Sequence, residues 1–68
     1  MSKEMYASIL LQHVYAFDPS ERERISLISA TFIGIVDSIV NQADYTTDQK
    51  IAKLRNLNDA RKEVLAYE

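Results

Sequence analysis

Six side chains in this sequence have the chemistry to hold a ligand: Tyr6, His13, Tyr15, Arg22, Arg24 and Arg61. Guanidinium groups neutralise phosphates and fork onto their oxygens, and phenol rings give a base a flat surface to stack on. Arg22 and Arg24 stand where an apolar helix begins. A helix N-terminus already presents free backbone N–H groups to an anion, and arginines there strengthen the site. The same Glu21-Arg22-Glu23-Arg24 run can also be a solvated face with internal ion pairs, and both readings are open. Catalysis has little to stand on. There is no Gly-rich phosphate loop, no nucleophile elbow and no histidine paired with a carboxylate at useful spacing, so we expect a protein that is not an enzyme. With no cysteine and His13 as the single histidine, neither a metal site nor a disulfide can be argued, and no cofactor is expected.

The totals narrow the partners. Eight basic and ten acidic residues give a net charge of -2 and a pI near 5.3, and the basic residues form no cluster long enough to track a DNA or RNA backbone. A small anionic ligand needs only a few arginines and stays open. A domain of 68 residues buries only about 60% of the surface of its unfolded chain and usually needs a staple. With disulfides and metals set aside, association with itself or a partner is the staple left. The start, Met1-Ser2-Lys3-Glu4, is too polar for a signal peptide. The apolar stretch Ile25 to Ala43 tempts a membrane reading, but Asp37 would cost about 2.5–3.5 kcal/mol at a bilayer centre. We expect no membrane association and a cytoplasmic location.

The elements that position these residues read as three helices in a single domain, over about residues 3–16, 20–43 and 47–66. The expected fold is all-α: a short N-terminal helix followed by a long antiparallel helical hairpin, assembling as a homo-oligomeric helical bundle. Ser2 can cap the first helix, which carries Met5, Tyr6, Ile9, Leu10 and Phe17 at steps of three and four. His13 falls within that apolar arc. It is either partly buried with a polar partner or a contact in a ligand pocket. Pro19 forces Asp18 out of helical geometry, and either Asp18 with Glu21 or Ser20 with Glu23 can open the next helix.

The central helix places Ile25, Ile28, Phe32, Ile35, Val36, Ile39 and Ala43 on one expected core stripe. A flank of small residues, Ser26, Ala30, Gly34 and Ser38, permits close approach of another backbone, and with Phe32 it forms our expected oligomer interface. Thr46 and Gln49 make a capping box for the third helix, whose apolar face carries Ile51, Leu54, Leu57, Val64 and Leu65. Asn58 and Arg61 interrupt that face. Arg61 either snorkels to an edge, pairs with Asp37 or an acid of another chain, or holds a ligand or an oligomer interface.

From the middle of the first helix onward the chain resembles the short helical-hairpin proteins of bacteriophages that act as sponges for cyclic nucleotide messengers of bacterial anti-phage (CBASS) immunity. The residues that carry the likeness are His13-Val14-Tyr15, Pro19, Glu23-Arg24 before an apolar helix, then Ile51-Ala52-Lys53-Leu54 and Leu57-Asn58-Asp59-Ala60. A Lys-Gly element in the family's turn and an arginine opening its second arm have no counterpart here. The resemblance implies a compact homo-oligomer, commonly a hexamer, that binds cyclic di- or oligonucleotides between protomers without cleaving them. Tyr6 or Tyr15 would stack on a base and Arg22, Arg24 and Arg61 would neutralise phosphates. The alternative from a different class is a small helical interaction module that inhibits or adapts a bacterial or phage protein with no small ligand. A structural assembly protein is a third.

Overall fold

The computed structural model describes residues 2–66 and is all-helical, with three helices and no strand among the described residues. They are α1 (Lys3–Phe17), α2 (Glu21–Asn41) and α3 (Thr47–Ala66), and each packs against both others in a body measuring 38 × 18 × 15 Å. None of these helices is long and apolar enough to cross a membrane.

Local chemistry sets the helix ends. Ser2 Oγ accepts the Met5 N–H at 3.3 Å and starts α1. At the other end Asp18 takes left-handed backbone angles (φ 44°, ψ 55°), and its N–H donates to the Val14 carbonyl at 3.0 Å. Asp18 therefore closes α1, and Ser20 caps α2 by accepting the Glu23 N–H at 3.4 Å. The two caps divide the short link between them, which leaves Pro19 extending neither helix. Thr46 and Gln49 form a reciprocal box: the Gln49 N–H donates to Thr46 Oγ1 at 3.1 Å, and the Thr46 N–H donates to Gln49 Oε1 at 2.8 Å. Two orphan N–H groups are satisfied by one pair of side chains.

The core is a single cluster of Tyr6 and Leu10 from α1, Ile28 and Ile39 from α2, and Leu57, Ala60 and Val64 from α3. Phe32, Ile35, Val36, Leu54 and Leu65 pack half-buried around it. Several residues at helical spacing lie outside. Ile25, Met5, Phe17 and Ile51 are exposed, and Ala43 is exposed beyond α2, which ends at Asn41 because Gln42 is extended. Periodicity assigns a residue to a face; it does not supply a neighbour to cover it.

Side-chain contacts spaced along both helices tie α2 to α3. The Arg24 Nη2 donates to the Val64 carbonyl at 3.1 Å, the Arg61 guanidinium lies over Phe32, and Lys50 Nζ donates to the Val40 carbonyl at 2.8 Å. Lys3 and Glu63 tie α1 to α3 through a 3.0 Å ion pair.

Candidate functional site

The six candidate ligand residues do not converge on one pocket. Tyr6 is 2% exposed and lies in the core cluster; its ring presents no face for a base. Burial also holds its phenol above the ordinary value of 10.0, with Lys53 partly opposing the shift. Tyr15 is the reverse case, 77% exposed near the end of α1.

His13 is exposed, which departs from the partly buried reading that its place in the apolar arc suggested. Its ring stacks on Phe17, with centroids 6.2 Å apart and planes 19° from parallel. These residues are one turn apart on α1, and the pair forms because positions four apart share a helix face.

Arg22 and Arg24 occupy the first turns of α2, two positions apart, and so diverge around the helix. Arg22 is exposed and has no ion-pair partner among the described residues. Arg24 is half-buried and turns toward α3, where it satisfies the carbonyl of Val64, one of the last four residues of that described helix. Arg24 thus serves as a clamp on the end of α3 as well as a cation. Only a short link separates this end of α2 from Tyr15 and His13 in the last turns of α1.

Arg61 sits between an aromatic ring and an amide oxygen. It is half-buried, its Nη2 donates to Asn58 Oδ1 at 3.3 Å, and its carbon centre sits 5.2 Å from the Phe32 ring centroid. Its Nε is buried with no hydrogen-bond partner among the described residues. It makes no ion pair with a carboxylate among the described residues. Asp37, one of the acids expected to pair with it, instead accepts from Asn41 Nδ2 at 3.0 Å. Removing a guanidinium from water without a carboxylate leaves its charge compensated only by an amide oxygen and a π face.

Open grooves lie beside α1 among the described residues. One of about 380 Å³ lies at the elbow of α1 and α2, lined by Phe17, Pro19, Glu23, Ser26 and Leu27. Another, about 390 Å³, runs along α1 beside Glu4, Met5, Ser8 and Ile9. Both are mainly apolar and carry a glutamate, so neither is itself built for a phosphate. No group of three or more His, Asp or Glu able to hold a metal occurs among the described residues.

The expected interface residues separate into two sets. Ser26, Ala30, Gly34 and Ser38 are all exposed, and a methyl group added at Gly34 would meet nothing within 4 Å. Phe32 is half-buried within the chain itself, beneath Arg61. Beside them lies an apolar feature that the sequence reading missed: Ile33, 66% exposed, and Val40, 50% exposed, share a side of α2 with Ile25. The signal was present in the sequence, because these residues repeat at helical spacing offset from the core stripe.

Comparison with protein-family models found no match, and comparisons with curated proteins and with solved structures found none either.

Proposed function

We propose that this chain binds cyclic di- or oligonucleotides without cleaving them and, by sequestering them in the bacterial cytoplasm, blocks anti-phage signalling of the CBASS type. In this reading it is a phage-type protein that acts as a homo-oligomer, with six copies as the number the family resemblance suggests. The protomer is a short helix followed by an antiparallel hairpin. Support for the hairpin comes from the α2–α3 ties, in which Arg24, Phe32 and Val40 meet Val64, Arg61 and Lys50 in reverse chain order.

The observation that carries the ligand reading is Arg61. A half-buried guanidinium whose Nε has no hydrogen-bond partner and which makes no ion pair among the described residues is short of an anion there, and a nucleotide phosphate would supply one. Arg22 offers another cation, with no ion-pair partner among the described residues, and Tyr15 offers an exposed ring. A charge-assisted hydrogen bond contributes about 1.5–3 kcal/mol, and stacking about 1–3 kcal/mol per base. These groups lie apart on one protomer, so a common pocket would have to be assembled from several copies. Tyr6 has no place in that pocket.

The test is ligand depletion. Purified protein at micromolar concentration is mixed with a panel of cyclic nucleotides, and free ligand is measured by chromatography before and after heat release. Depletion followed by return of unchanged ligand supports a sponge. No depletion overturns it, and return of a cleaved product makes the protein an enzyme.

A second reading has its own observation. Exposed Ile25, Ile33 and Val40 on α2 suit a helical module that docks on a bacterial or phage protein through α2 with no small ligand. Light scattering separates the two: a high-order homo-oligomer favours sequestration, and a monomer or dimer favours the docking module.

A further inference from the structure

The link between α1 and α2 is held in a backbone shape that its own sequence disfavours. Asp18 takes left-handed angles, φ 44° and ψ 55°, where the β-carbon of an L-residue is crowded and glycine fits more easily. It also precedes Pro19, whose ring pushes the residue before it toward extended backbone. Both preferences at position 18 favour a straighter link. The folded chain overrides them so that α1 can turn back and seat Tyr6 and Leu10 in the core.

Straightening this link disturbs neither helix end. The Asp18 N–H that closes α1 donates to Val14, on the α1 side, and the Ser20 side chain and carbonyl that open α2 accept from Glu23 and Arg24, on the α2 side. A change in the Asp18 and Pro19 torsions therefore leaves both caps intact. What it withdraws is α1 itself, because Tyr6 and Leu10 leave the core cluster and Lys3 leaves Glu63. The α1 of a second copy can fill the same places through the same contacts, since identical chains offer identical sockets. Such an exchange costs association entropy and no core contact.

The residues around the elbow supply a contact that only the exchanged pair makes. When two chains exchange an element, their straightened links pass each other at the two-fold axis, and each elbow lies against its copy. Phe17 and Ile25, on either side of the link, are exposed, and Phe17 and Leu27 line an open, mainly apolar groove beside Pro19. Apolar surface that meets water in the closed chain is covered in the pair.

We propose that the Asp18-Pro19-Ser20 link is a hinge through which two copies of this chain exchange α1, each first helix packing on α2 and α3 of the other copy. The pair needs no ligand, so the proposal goes beyond both readings above and depends on neither. Its kinetics are distinctive. Because α1 must leave the core before it can be exchanged, the pair forms and separates at about the rate of unfolding, far more slowly than two surfaces that merely touch.

The Lys3–Glu63 ion pair reports which chain α1 packs on. Its 3.0 Å separation suits a carbodiimide, which activates the Glu63 carboxyl for attack by the Lys3 amine and leaves an amide bond between the two residues. Equal amounts of ordinary and heavy-nitrogen-labelled chain are mixed in urea, refolded at millimolar concentration and separated by size before coupling. In the fraction larger than the monomer, about half of the coupled Lys3–Glu63 peptides should join a light chain to a heavy one. In the monomer fraction none should. Asp18→Gly, which suits the left-handed link, should weaken self-association about fivefold or more, and Asp18→Val, which holds it only under strain, should strengthen it by a similar factor. Phe17→Ser should weaken it while leaving the helical circular dichroism of the monomer unchanged. The hinge is overturned by a chain that refolds only to monomer at millimolar concentration, or by an oligomer whose coupled peptides are each of a single isotope. It is equally overturned if Asp18→Gly and Asp18→Val leave self-association as it is in the wild type. Mixed-isotope peptides from a chain that depletes no nucleotide support the hinge and overturn the ligand reading.

Discussion

The guanidinium of Arg61 on α3 lies 5.2 Å from the ring centroid of Phe32 on α2, so a cation on one helix is seated on an aromatic face of the next. The contact contributes about 0.5–2 kcal/mol, while the unmatched buried Nε costs about 1–3 kcal/mol. Arg61→Met keeps the stem packing against Phe32 and removes the stranded donor, but it also gives up the cation–π contact and the Nη2–Asn58 hydrogen bond, which contributes about 0.5–1.5 kcal/mol. The gains and losses nearly cancel, so stability in urea titration should stay within about 1 kcal/mol of wild type. The same variant should lose nucleotide depletion. Binding lost at nearly unchanged stability is the combination that a residue retained only for packing would not give.

Truncation should cost far more in the core than on the exposed side of α2. Leu57 is fully buried, and Leu57→Ala should cost about 3 kcal/mol through lost transfer energy and a cavity. A chain of this length has about 3–10 kcal/mol to lose, so the variant should lose about a third or more of its stability, read as a clearly lower urea midpoint by circular dichroism. Ile33→Ala touches no core contact and should stay within about 0.5 kcal/mol of wild type in the dilute monomer.

Caps can be tested one at a time. Thr46→Ala deletes the hydroxyl half of the box that opens α3 and should cost about 1 kcal/mol. Asp18 sits in left-handed backbone space, where a β-carbon is disfavoured, so Asp18→Gly should be neutral to stabilising and Asp18→Val should cost about 1 kcal/mol. Urea midpoints read both pairs.

High pH should loosen the fold for two reasons of the same sign. The hydrogen bond and charge of Glu63 raise Lys3 above its ordinary 10.5, and burial raises Tyr6 above 10.0. A group whose value is raised by folding stabilises the fold fully below its unfolded value, and that stabilisation is lost as pH rises through the folded value. Urea midpoints should therefore fall above about pH 10. Tyr6→Phe should make the fall shallower, and Lys3→Met should remove the part that added salt screens.

The three helices and their caps were legible in the sequence because each is encoded within a few residues. Ser2, the Ser20–Glu23 start and the Thr46–Gln49 box are local patterns, and the structure places a hydrogen bond at each. Core membership was legible for Leu10, Ile28, Ile39, Leu57 and Val64 through helical spacing. It was not legible for Ile25, Phe17 or Ile51, since whether a face is covered depends on how long and at what angle its neighbours run. Polar pairing was the least legible. Asp37 and Arg61 are both isolated charges in the sequence, and only the packing shows Asp37 taken by Asn41 and Arg61 seated on Phe32. The candidate site was legible as a set of residue types, and its geometry on one protomer was not, because Tyr6 carries the same sequence signal as Tyr15 and is buried.

The elbow between α2 and α3 has a dynamic consequence. α2 has no basic residue in its own last turn; the cation that satisfies its Val40 carbonyl is Lys50, from the first turn of α3, and Lys53 one turn later sits 4.6 Å from the Tyr45 ring in the connecting loop. Fraying the end of one helix therefore releases the start of the next. Amide protons from about Val40 to about Lys53 should exchange with solvent as one cooperative opening unit, with a shared protection that Lys50→Ala lowers on both sides of the loop.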